Sequence, residues 1–169
     1  TSPTPPASTT PWLAASANPP RVGASVTFTA TVAPSGATGN VQFYADGAAL
    51  DSAKSLLGGT ASVSTAALTV GTHVITATYS GDGNYTGSSG QLTPNQAVGQ
   101  GATTTSLASS ANPSVVGTSV TFTATVAPSA ASGSVQFYAD GAALDGARSL
   151  SGGTATVSTS ALLVGTHVI

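Results

Sequence analysis

Few side chains in this 169-residue sequence could do acid–base or metal chemistry: His73 and His167, five aspartates (Asp46, Asp51, Asp82, Asp140, Asp145), Arg21, Lys54 and Arg148. There is no cysteine, which excludes disulfides, thiolate metal centres and thiol nucleophiles. A metal site needs several ligands converging within bonding distance, and no acid lies near either histidine at a ligand-like spacing. Both histidines therefore read as structural corner residues rather than as ligands or a pH switch, with no metal and no His–Asp partnership for catalysis. Ser80-Gly81-Asp82-Gly83-Asn84 offers side-chain oxygens at alternate positions, as calcium loops do, but lacks their further acids and reads as a turn. Asn84-Tyr85-Thr86 matches the N-glycosylation sequon, whereas proline follows Asn18 and Asn112. Asp51 with Lys54, and Asp145 with Arg148, read as surface pairs worth under about 1 kcal/mol each. No two carboxylates are placed for paired acid–base work, and no serine sits in a nucleophile elbow. The expectation is a non-catalytic chain without a cofactor.

The aromatic residues carry a second possible chemistry. Tyr44 and Tyr138 follow Phe43 and Phe137 by one residue, so in a strand they point to the opposite face. If exposed, they would form a sugar-stacking platform, shield the sheet, or contact a neighbouring repeat. Trp12 has Ser106 as its counterpart, and is expected at an end or an interface.

Composition narrows the partners. Charged residues are 5% of the chain against roughly 25% in an ordinary soluble domain. Such a surface has no footprint for nucleic acid and no polybasic patch for anionic lipid. No apolar run is long enough to span a bilayer, so no membrane insertion is expected in this segment. The chain has no methionine, as expected of a processed product or a piece of something longer. Serine- and threonine-rich β-modules suit the outside of a cell, and an extracellular or cell-surface location is expected.

The elements that must position these residues come from a repeat. Ala17–Ile75 aligns without a gap on Ala111–Ile169 at a constant offset of 94, with about four positions in five identical. Within the repeat the period is two. In "ASVTFTATV", Val26, Phe28, Ala30 and Val32 alternate with Thr27, Thr29 and Thr31, giving one apolar and one hydroxyl face. "NVQFYADGAAL" gives a strand and an Asp46-Gly47 hairpin turn, and "LGGTASVS" a Gly-Gly turn opening another strand. "HVITATY" would put His73, Ile75, Ala77 and Tyr79 on one face, and "SGQLTPNQAV" would close the domain. No amphipathic helix is visible. The fold expected is all-β: tandem antiparallel β-sandwiches of about seven strands each.

"SANPSVVGTSVTFTATV", "VQFYADG" and "GTHVITATYSGDGNYTGS" together resemble the bacterial immunoglobulin-like repeats found in tandem on surface and secreted proteins. The resemblance implies that His73 stands at the tyrosine-corner position, Ala30 and Ile75 at the two cysteine positions, and Phe43 at the buried tryptophan. Phe28, Ala30, Phe43, His73 and Ile75, with Phe122, Phe137 and His167 in the second copy, are then the structural core. The expected boundaries are a Pro/Thr/Ser-rich spacer over 1–10, the first repeat over 11–98, a short linker over 99–104 and the second repeat over 105–169. Counterparts of Thr76–Val98 do not follow in the second copy, which stops within its penultimate strand. The expected function is structural, as part of a stalk, adhesin or filament whose partners are neighbouring repeats or identical subunits. The alternatives are a carbohydrate-binding accessory module, whose partners would be glycans, and a filament subunit completed by strand donation. The proline-rich N-terminal tract makes a poor donor strand.

Overall fold

The computed structural model describes residues 6–169, which form two compact units, one ending at Gly101 and one spanning Ala102–Ile169. Residues 1–5 of the expected spacer lie outside the described residues. In the first unit, β1 (Thr10–Ala15), β2 (Val26–Ala33) and β6 (Thr60–Thr65) form one antiparallel sheet in the order β1-β2-β6. The facing sheet is built on β3 (Asn40–Ala45), β8 (Ile75–Tyr79) and β9 (Ser88–Gln91), with short β4 (Ala48–Ala49) and β5 (Lys54–Ser55) both paired to β3. A separate two-stranded sheet joins β7 (Gly71–His73) to β10 (Gln96–Val98).

The period of two explains the core. Val26, Phe28, Ala30 and Val32 are buried while the threonines between them face outward. Register aligns the apolar rows across strands: Ala30 sits between Leu13 and Ala61, and Phe28 between Ala15 and Val63. Val41 and Phe43 of β3 face inward with Ile75, Ala77 and Tyr79 of β8, so Ala30, Phe43 and Ile75 share one buried cluster. Asp46 and Gly47 both have positive φ, 50° and 84°, as a tight primed turn between β3 and β4 requires.

Four sequence expectations are corrected here. "HVITATY" is not one strand: Val74 interrupts it, because its N–H and C=O both go to Asp46, leaving His73 in β7 beside β10 and Ile75 in β8 beside β3. His73 and His167 accordingly sit half-buried at the corner rather than fully buried in the core. The closing strand is likewise split. Pro94 has no N–H to give a ladder, so β9 pairs with β8, the chain turns, and β10 resumes against β7. Finally, Ala7–Thr10 of the expected spacer lie on the first unit: Ala7 exchanges backbone bonds with Asn84 and Thr86, and the Thr9 hydroxyl donates to the Thr86 carbonyl at 2.9 Å.

The second unit repeats one sheet closely, with β11 (Thr104–Ser109), β12 (Val120–Ala127) and β17 (Thr154–Thr159) in the order β11-β12-β17. Its other sheet is fragmentary: β13 (Ser134–Val135) pairs with β16 (Arg148–Ser149), and β14 (Tyr138–Ala139) with β15 (Ala142–Ala143). The continuous β3 of the first unit is held together by five register pairs to β8, and the matching stretch here has no such neighbour among the described residues. Phe122, Phe137, Ala124 and Val157 still form a core, against which Ile169 packs.

Candidate functional site

The corner around His73 is a polar site assembled by strand register. The β3–β8 register sets Ala45 opposite Ile75, which brings the hairpin tip Asp46 alongside Val74 and His73. Asp46 Oδ2 lies 2.7 Å from His73 Nδ1, and its Oδ1 accepts the Val74 N–H at 2.8 Å. The other ring nitrogen, Nε2, lies 2.9 Å from the Thr69 carbonyl oxygen, four residues upstream. This is the backward bond to the main chain that a tyrosine corner makes through its hydroxyl. The second unit repeats the arrangement: His167 Nδ1 is 2.7 Å from Asp140, Nε2 is 3.0 Å from the Leu163 carbonyl, and Val168 N–H donates to Asp140 at 2.9 Å. Spacing along the chain gives neither histidine an acidic neighbour. Each acid is 27 residues away in sequence, and only strand register joins them. Pairing "VQFYADG" with "VITATY" in antiparallel register was the signal that could have found it.

Charge follows geometry. Hydrogen bonding to the carboxylate, then to the carbonyl, raises the pKa of both histidines, and the histidines' bonds hold Asp46 and Asp140 below the ordinary carboxylate value. Each ring nitrogen faces an oxygen acceptor, so in the doubly protonated ring neither offers a lone pair to a metal or to a serine proton.

The loop after β8 is equally committed. Asp82 accepts four bonds: from Thr38 N–H at 2.7 Å and its hydroxyl at 2.8 Å, and from Asn84 and Tyr85 N–H at 2.8 Å each. These bonds, Thr38's first, push its pKa strongly downward. Its oxygens tie the loop to the β2–β3 connection instead of facing a calcium ion. Asn84 of the sequon is exposed at the tip, and the Thr86 hydroxyl donates to the Ala7 carbonyl at 3.2 Å.

The aromatic residues separate. Tyr138 is 50% exposed, but Tyr44 is half-buried because Thr76 of β8 pairs beside it, so the two do not form an equivalent exposed platform. Trp12 is 67% exposed on the hydroxyl face of the first sheet, in one row with Thr31 and Thr60. The Asp51–Lys54 and Asp145–Arg148 pairs form at the surface. In the second unit a groove of about 860 Å³ runs between Leu107–Val116 and Leu162–Ile169, with Val115, Leu163 and Val164 exposed along it.

No curated protein matches the chain. The family model for the bacterial Ig-like domain (group 3) matches residues 13–99 and again 107–169, which are the two sandwich units just described. With both copies matched over most of the sequence, the chain belongs to the bacterial Ig-like domain family, group 3.

Proposed function

We propose that this chain is a non-catalytic structural module of an extracellular stalk, adhesin or filament built from stacked Ig-like repeats. The observation that carries this reading is the tandem match itself: two copies of one sandwich at a spacing of 94, with their organised polar groups engaged in holding turns and corners. Bacterial Ig-like domains are in general non-catalytic and common at cell surfaces, which favours the same reading. No helix among the described residues is long and apolar enough to cross a membrane. Small-angle scattering on the full chain tests it: an elongated particle is expected, and a compact globule would sink the stacked-repeat reading.

A glycan-binding accessory role is the second reading, favoured by one observation, the exposure of Trp12. An indole on a neutral hydroxyl face suits the C–H face of a sugar ring. Reproducible binding on a glycan array that is lost in Trp12→Ser, which copies Ser106, would establish it.

A further inference from the structure

The corner histidines do more than copy a tyrosine corner. A phenol hydroxyl donates one bond and is neutral until about pH 10, whereas imidazole changes its donor count near neutrality. Each ring here lies between a carboxylate and a backbone carbonyl, both acceptors only, at 2.7–3.0 Å. Both contacts are hydrogen bonds only if both nitrogens carry protons, which is the imidazolium. A neutral ring sets a lone pair against one of those oxygens. We propose that His73–Asp46 and His167–Asp140 are protonation latches, which fasten the segments Thr69–Ile75 and Leu163–Ile169 to the β3–β4 and β14–β15 hairpins and loosen them when the ring loses its proton.

The surroundings leave the control with this one pair. From the hairpin the ionisable group facing His73 is Asp46. From β10, Gln96 stands opposite it and is uncharged, and Thr69 presents only its carbonyl. Asp140 and Leu163 play these parts for His167. The other acids with lowered pKa are occupied elsewhere, Asp51 by Lys54 and Asp82 by Thr38. The latched segments also matter to what is presented outward. In the first unit the segment contains β7, which among the described residues is the strand that pairs with β10. In the second it forms one wall of the groove.

The signs are fixed by the shifts. A histidine with a raised folded pKa contributes stability fully below its unfolded value, about 6.5, and loses it as pH climbs through the folded value. The paired aspartates, with lowered pKa, contribute above about 3.8 and lose their part as pH falls. The latch is thus strongest between roughly pH 4 and pH 6.5. His73 is better sheltered than His167, with side chains 12% and 22% exposed, so the first unit should show the larger change.

The test is an NMR titration of the two imidazoles in the intact chain, combined with thermal unfolding from about pH 5 to about pH 9. Both rings are expected to titrate above 6.5, with the melting temperature falling as they do. The His73→Gln/His167→Gln double variant should lose that fall and give a flatter profile. Wild-type rings that titrate at or below 6.5 would overturn the proposal without any variant. So would a double variant that keeps the wild-type pH profile.

Discussion

At the scale of single residues, the polar side chains most available to chemistry turn out to be fastened inward. Asp82 shows the pattern: one carboxylate closes its own turn through Asn84 and Tyr85 and ties that turn to Thr38. Asp82→Ala should therefore lower the melting temperature and release the loop, seen as faster amide exchange at Asn84 and Tyr85. Added calcium should leave the melting temperature of the wild type unchanged, since binding to the native state would raise it. Asp82, held below its ordinary pKa, also contributes stability that is present above about pH 4 and is lost on acidification. An acid titration of stability should thus be shallower in Asp82→Ala than in the wild type.

At the scale of elements, β1 and β9 meet across the edge of the sandwich at Gly90. A Cβ there would lie 2.5 Å from the Pro11 carbonyl oxygen and 3.3 Å from Leu13 Cδ1. The nearer atom is backbone and has no easy way to give. Gly90→Ala should cost about 1–3 kcal/mol of stability in the first unit, measured by denaturant unfolding. The same contact explains a difference between the repeats: Leu13 is 4% exposed, while its counterpart Leu107 is 46% exposed and has no β9 over it among the described residues. At the centre of the sheet, Phe28→Ala should cost about 3–5 kcal/mol, because Phe28 is fully buried between Ala15 and Val63.

At the scale of the whole molecule, the two units carry the same sequence pattern but unequal cores. The first buries Leu13, Leu92 and Val98. In the second, Leu107, the counterpart of Leu13, is exposed. Hydrogen exchange on a polypeptide of these 169 residues should therefore rank the units, with the slowest amides in β2, β3 and β8 and markedly faster ones over 134–169. Equal protection in the two would contradict the packing described here.

The sequence by itself determined the strands and the family. Alternation in "VTFTATV" dictated which residues of β2 and β12 face inward, and Asp-Gly dictated the hairpin. The 94-residue offset revealed the second copy. These are local signals, legible because side-chain direction in a strand depends only on residue parity. Tertiary structure alone decided the polar contacts. His73 meets Asp46 across 27 residues, Asp82 meets Thr38 across 44, and Val74 breaks a strand that alternation would have continued. Such pairings depend on which strands become neighbours and in what register. That is settled by packing the two sheets around Phe28, Phe43 and Ile75, and no spacing within a single strand encodes it.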